Sequence, residues 1–269
     1  MMPSPNLNAE EIALCERLRS LKLSGMADAL ETQLMDPNAD LVPFMERFST
    51  IVNQEWQIRY NKKFSKFMKK AQLRYPDAAL DETIYDPARK LDTASIERLA
   101  TCHWIDEGKN LLITGMTSSG KTYLCNALCV SAIQQFKTVR YIRANILMLE
   151  LEQARLQTTY LDYVSSLAKL DLLAIDDFGL MDLDLDKCRD LFEVIDGRDG
   201  RKSTIIVSQF PIHTWFDLFQ EHTYADACLA RITDKRHSYR LEMNGISMRD
   251  AVKKASLGGF LRRPAAATL

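Results

Sequence analysis

Apolar positions recur at helical spacing in the first third of the chain. Ile12, Leu14, Leu18, Leu21 and Leu23 recur at roughly helical spacing, with Asn8 as N-cap and Glu10 and Glu11 in the first turn. Gly25 is read as the break before a second helical piece, Met26 to Met35. Asp36-Pro37-Asn38 follows as a turn. A longer helical pattern runs from about Leu41 to Arg74, in which Tyr60, Phe64, Phe67 and Ala71 share a face. Residues 75–92, with Pro76, Asp77, Asp86 and Pro87, read as a linker. Beyond a short helix at Ser95 to Cys102 the pattern changes. Short apolar runs alternate with helical periods. The runs are Leu111–Thr114, Thr138–Ile142, Leu170–Asp177, Ser203–Gln209 and Tyr239–Glu242. The helices lie at Lys121–Phe136, Asn145–Gln157, Tyr160–Lys169, Lys187–Arg198, Trp215–Phe219 and Ala225–Lys235. Alternation of this kind predicts a parallel sheet with helices on both faces. The tail from Gly258 reads as basic and flexible.

The run Leu111–Thr114 leads into Gly115-Met116-Thr117-Ser118-Ser119-Gly120-Lys121-Thr122, and a helix follows. G-x-x-x-x-G-K-T between strand and helix is a phosphate-binding loop. The glycines free the backbone to turn its N–H groups onto one phosphate, and the helix N-terminus adds positive potential. Lys121 suits the β- and γ-phosphates, and Thr122 suits Mg²⁺. The nucleotide-binding set is therefore Gly115 to Thr122 with Tyr123. The run Leu170–Asp177 ends in two carboxylates, as the partner strand of such a loop does. Asp176 is the expected Mg²⁺ ligand and Asp177 the base that deprotonates the attacking water. The expected cofactors are ATP and Mg²⁺.

The formal net charge is -1, so global charge dictates no nucleic-acid partner, but local charge does bear on one. Between Gln57 and Arg74 stand Arg59, Lys62, Lys63, Lys66, Lys69, Lys70 and Arg74, with no acid among them. Contact with a DNA backbone is the expected use of this run. A solvated helix face and an anionic membrane surface are the alternatives. The six cysteines form no C-x-x-C pair and read as core thiols, which suits a reducing cytoplasm. No apolar run approaches membrane-span length.

The motifs together resemble the IstB family of insertion-sequence transposition helpers, in the AAA+ superfamily beside the DnaC helicase loaders. Glu55-x-x-x-Arg59 with its basic run, the phosphate loop, and Asp176-Asp177-Phe178-Gly179 carry the likeness. So do Ser203 to Pro211 with Trp215, Ala225-Asp226-Ala227-x-x-x-Arg231, and Gly245-Ile246-Ser247-Met248-Arg249. The resemblance implies an AAA+ nucleotide-hydrolase core with a parallel five-stranded sheet, a small all-helical N-terminal domain before it, and no full C-terminal lid. The expected division is 1–75 helical, 76–92 linker, 93–257 ATPase and 258–269 tail. It also implies ATP-dependent assembly on double-stranded DNA, a homo-oligomer with nucleotide at subunit interfaces, and a cognate transposase as partner. Gln209 would sense the γ-phosphate, Arg231 would be an arginine finger reaching a neighbouring subunit, and Arg249 a second sensor. A helicase loader is the rival reading. A small-molecule kinase is a weaker one, opposed by the double aspartate and the basic helix. Three positions depart from the pattern. Ser118 stands where a third glycine is common, Asp177 where glutamate is commoner, and Ala230 where an aspartate usually precedes the arginine.

Overall fold

The computed structural model describes residues 7–83 and 91–243. Its chain divides into two compact units, Met1–Lys66 and Phe67–Leu269. Arg249 and the Gly245–Arg249 motif, the tail, the question of a lid after residue 243, and part of the 76–92 linker lie outside the described residues.

The first unit holds α1 (Ala9–Ser20), α2 (Ser24–Met35) and most of α3 (Phe44–Ala71), whose last residues from Phe67 onward count with the second unit. Asn8 caps α1 in a reciprocal capping box with Glu11. The expectation for Gly25 needs correcting. The chain turns at Lys22, which has φ +60°, and Gly25 lies buried inside α2. A Cβ there would stand 2.7 Å from Ile58 Cδ1 and 3.0 Å from the Glu55 backbone, so glycine lets α2 approach α3 closely. The Glu55 carboxylate uses that approach. It accepts from the Gly25 and Met26 N–H groups at 2.7 and 3.3 Å, at the N-terminus of α2, where a negative charge is favoured. Arg59 donates to Glu55 at 2.5 Å and to the Lys22 carbonyl at 2.8 Å. These bonds give Arg59 an intramolecular role beside the DNA contact expected of it, and its side chain stays 58% exposed. Its guanidinium fastens the turn between α1 and α2 to α3 while holding Glu55, whose carboxylate meets α2, which is the physical content of the E-x-x-x-R spacing.

The second unit begins with the end of α3, where Gln72, at φ +51°, ends the helix. It continues with α4 (Thr93–Ala100), α5 (His103–Asp106), β1 (Asn110–Gly115), α6 (Lys121–Gln134), β2 (Val139–Arg143), α7 (Ala144–Leu156), α8 (Tyr160–Ala168), β3 (Leu172–Phe178), α9 (Leu185–Asp196), β4 (Ser203–Ser208), a 3₁₀ segment (Ile212–Leu218), α10 (His222–Thr233) and β5 (Ser238–Met243). The five strands pair in parallel in the order β2-β3-β4-β1-β5. Their continuous apolar runs are what a sheet buried on both faces requires. Leu112, Leu173, Ile175 and Ile206 point to the side covered by α7 to α10. Leu111, Ile113, Ala174, Ile205 and Val207 alternate to the other side and are equally buried, with α6 against the sheet. All six cysteines are buried core residues.

One polar residue holds the end of the sheet distal to the phosphate loop. Arg198 is 1% exposed. Its guanidinium donates to the carbonyls of Leu167, Leu170 and Ser203 and to the Thr204 hydroxyl, joining α8, α9 and β4. Burial pushes its pKa down to about 10, against an opposing pull from Asp171. Arg198→Leu would strand these acceptors without a donor. It is expected to cost at least ~3 kcal/mol and lower the melting temperature by roughly 10 °C in a calorimetric scan. A change under about 2 °C would show the network to be dispensable.

Candidate nucleotide site

The C-terminal ends of β1, β3 and β4 open onto a cavity of about 660 Å³, large enough for a nucleotide. Thr117, Ser118, Gly120, Lys121, Thr122, Tyr123, Asp176, Asp177 and Gln209 line it, so most of the expected site residues come together in one place. Gly115 ends β1 at φ +143°. A Cβ there would meet the Met243 carbonyl at 2.0 Å, so β5 can lie against the start of the loop only because this residue is glycine. Lys121 opens α6 and is 9% exposed. Its ammonium folds back to donate to the Gly115 and Met116 carbonyls, both at 2.7 Å. Burial lowers its pKa, while Asp176 and Asp177 pull the other way. A cation held between carbonyls of its own loop, at a helix N-terminus, fits a polyphosphate.

Ser118 adopts φ +65°, the left-handed conformation for which a glycine is suited. That conformation costs a non-glycine residue about 1–2 kcal/mol. Glycine would relieve it but add about 0.5–1 kcal/mol of chain entropy. The two nearly cancel, so Ser118→Gly should leave nucleotide affinity equal or up to about fivefold tighter. Ser118→Val, β-branched at positive φ, should weaken it about tenfold or more. Titration with a fluorescent ATP analogue checks both. Equal affinities for the glycine and valine variants would show that the loop's conformation does not limit binding.

Asp176 is 1% exposed. Its Oδ2 accepts from the Tyr141 hydroxyl at 2.7 Å and its Oδ1 from the Asp177 N–H at 2.8 Å. β2 and β3 pair with Arg143 opposite Asp176, which brings the end of β2 into the site. At Asp177 the register of β3 against β4 shifts, and the residue takes φ +56°. Such a bulge re-aims a side chain, and aspartate tolerates this backbone better than most residues do. Burial and the neighbouring Asp176 hold the Asp177 carboxyl above the usual range, opposed by Arg74, Arg143 and Lys121. A half-buried, more basic carboxylate suits proton abstraction from water. Thr122 and Asp176 present hard oxygen donors to the same cavity, the donor chemistry that Mg²⁺ takes.

Gln209, just past β4, accepts a hydrogen bond from the Thr117 hydroxyl at 2.9 Å. The residue that follows β4 thus touches the phosphate loop directly. Ser208 beside it donates to the Phe178 carbonyl at 2.7 Å, linking this strand end to that of β3.

Arg231 and Arg74 make contacts that spacing along the chain does not reveal. Arg231 on α10 is not among the cavity residues. It pairs with Asp196 of α9 at 2.8 Å and lies 4.8 Å over the Phe192 ring. The carboxylate missing at Ala230 is thus supplied in space by Asp196. Arg74, expected with the DNA-contact run, lines the nucleotide cavity with Tyr75. Sequence reasoning also missed Tyr141, Arg143 and Asn126. The first two lie on the strand next to the aspartates, but only the strand order β2-β3 puts them there, and spacing along the chain does not reveal that order.

The basic helix is a second candidate surface. Lys62, Lys63, Lys66, Lys69 and Lys70 are all exposed. Among the described residues no ion pair involves Lys62, Lys66, Lys69 or Lys70. Trp56 is 56% exposed, and its ring stacks on Tyr60 at 5.2 Å. No helix among the described residues is long and apolar enough to cross a membrane.

Residues 16–256 match the family described as IstB-like ATP binding protein. The chain is 34% identical to the insertion-sequence ATP-binding protein y4uH of Sinorhizobium fredii, over 93% of this chain and 96% of that one. It is 37% identical to the ATP-binding protein of insertion sequence IS1162 from Pseudomonas fluorescens, over 74% and 86%. Among solved structures it is similar to the DnaC helicase loader, with TM-score 0.54, 18% identity, and coverage of 64% of this chain and 99% of that one. The replication initiator DnaA bound to AMPPCP and single-stranded DNA is also similar, with TM-score 0.54, 17% identity, and coverage of 68% and 55%. At these identities the structural likeness establishes the AAA+ fold alone.

Proposed function

The chain belongs to the IstB-like ATP-binding protein family, and we propose that it is an AAA+ ATPase that assembles on duplex DNA in its ATP state. It bends or marks that DNA and passes it to the transposase of the same insertion sequence. The observation that carries this reading is a phosphate-loop cavity complete with Asp176, Asp177 and Gln209, in a chain whose α3 exposes a run of lysines without acids.

In the cavity, Lys121 and the loop N–H groups would hold the β- and γ-phosphates. Thr122 and Asp176 would hold Mg²⁺, which neutralises charge developing on the transferred phosphoryl group. Asp177 takes the proton of the attacking water. Gln209, bonded to Thr117, feels whether the terminal phosphate is present. Arg231 would be read in trans. Within its own chain Asp196 occupies it, so acting as a finger means exchanging that carboxylate for a neighbour's phosphate. The exposed lysines supply affinity through phosphate contacts, which is non-specific and falls with salt. Bending would draw on part of that affinity.

The test is light scattering or electron microscopy of the full chain with duplex DNA and a non-hydrolysable ATP analogue. Assembly that needs both supports the reading. A monomer without DNA affinity at low salt sinks it. A helicase loader, which would share the same AAA+ core, is the rival reading. Parallel pull-downs with a replicative helicase and with the transposase separate the two.

A further inference from the structure

In the sequence Arg74 is the last base of the basic run. In the fold it belongs to a strap laid along the phosphate-loop helix. Asn126 of α6 is fully buried. Its Oδ1 accepts from the Arg74 and Tyr75 N–H groups at 3.0 and 3.2 Å, and its Nδ2 donates to the Thr122 carbonyl at 2.7 Å. One turn earlier on α6, the Tyr123 hydroxyl accepts from the Ala79 N–H at 3.2 Å and donates to Glu82 at 2.7 Å. The Tyr75 and Tyr123 rings lie 6.2 Å apart. The strap is therefore fastened to the helix at two points, and Arg74 leaves it at a fixed place on the cavity wall. Its guanidinium lies 5.6 Å from the Tyr75 ring centroid, within electrostatic reach of the Tyr141 hydroxyl and the Asp177 carboxylate.

This position suits a nucleotide better than a DNA backbone. Asp176 and Asp177 line the same cavity and would repel a duplex phosphate brought to Arg74. A nucleoside triphosphate seated on the loop must itself place its terminal phosphate near those carboxylates. Lys121 is engaged at the Gly115 and Met116 carbonyls, at the start of the loop. Arg74 is a cation on the aspartate side, from the same chain, with a fork geometry that matches phosphate oxygens.

We propose that Arg74 is a phosphate-positioning residue that acts within its own subunit on the terminal phosphate of a bound nucleoside triphosphate, and that Asn126 holds it in register with the phosphate loop. The proposal rests on the nucleotide-binding reading of the cavity. It gives that site a cation independent of any neighbouring subunit, and it puts that cation three residues after the end of the helix that carries Lys69 and Lys70.

The experiment is equilibrium titration of the full chain with a fluorescent non-hydrolysable ATP analogue and with the matching ADP probe, both with Mg²⁺. Arg74→Ala should weaken the triphosphate about tenfold or more, as loss of a charge-assisted hydrogen bond does, and the diphosphate less than about threefold. Arg74→Lys should recover part of the difference. Asn126→Ala should show the same triphosphate selectivity, more weakly. At saturating ATP analogue, duplex DNA affinity and its salt dependence should be unchanged in Arg74→Ala. Equal weakening of both probes, no weakening, or a loss confined to DNA binding overturns the proposal. Lys121→Ala separates the levels. If wild type and Lys121→Ala bind both probes equally poorly while folded, the nucleotide reading itself fails.

Discussion

Replacing Lys62, Lys63 and Lys66 together by glutamate is expected to lower duplex DNA affinity at least ~100-fold at low salt and to leave ATP-analogue affinity unchanged. Each phosphate contact on duplex DNA contributes about 0.9 to the slope of log affinity against log salt, so losing three should flatten that slope by roughly three units. The three lysines are exposed on α3, in a stretch with no acid. Reversal adds repulsion to the lost attraction, which puts the effect above that of neutral substitutions. Arg59→Ala is the contrasting control. Arg59 holds Glu55 and the Lys22 carbonyl, so its loss should lower the melting temperature and leave the salt slope nearly as it was. The readout is built in. Trp104 and Trp215 are buried and Trp56 is exposed, so DNA-dependent fluorescence quenching reports on α3. A triple variant that loses nucleotide binding equally has misfolded. One that keeps its salt slope shows that DNA lies elsewhere.

What could be read from the sequence follows from which features are local. The strand–loop–helix at Leu111 to Phe136 was legible because its chemistry needs fixed residue types at fixed spacing, and the fold keeps it intact. The buried strands were legible as apolar runs ending in polar residues. The roles of charged side chains were less so, since charge along a chain does not state where a side chain points. Arg59 and Arg74 read as two members of one basic run. One ties the turn between α1 and α2 to α3, and the other lies on the wall of the nucleotide cavity. The bend at Gln72, which ends α3 before Arg74, separates Arg74 from Lys70 and has no signature in the apolar pattern. Ala230 reads in the sequence as a lost carboxylate, yet Asp196 pairs with Arg231 from another helix, a contact that exists only in three dimensions. Ser118 is the opposite case, because a departure read from the motif alone coincides with a positive φ in the loop.

Asp177→Asn is expected to slow ATP hydrolysis about 10²–10⁴-fold while leaving nucleotide binding and assembly on DNA in place. Asparagine is the informative replacement because of the backbone. Asp177 stands at φ +56° in the β3 bulge, a conformation asparagine shares with aspartate and glutamate adopts less readily. The bulge and the Asp177 N–H bond to Asp176 should therefore survive, and only the proton acceptor is lost. Stability supplies a signed check. Burial and Asp176 raise the Asp177 pKa, so near neutral pH its charged form is disfavoured by folding. Removing that charge should leave the melting temperature equal or higher, and a rise should be seen above the carboxyl's folded pKa and fade as pH falls through it and on to the unfolded value. Slow hydrolysis with undiminished stability would mark Asp177 as a residue retained for chemistry at the expense of the fold. Hydrolysis at the wild-type rate would remove Asp177 as the base. In that case the bulge would serve only to seat Asp176 against Tyr141, and the cavity would be a nucleotide-gated switch without its own hydrolytic group.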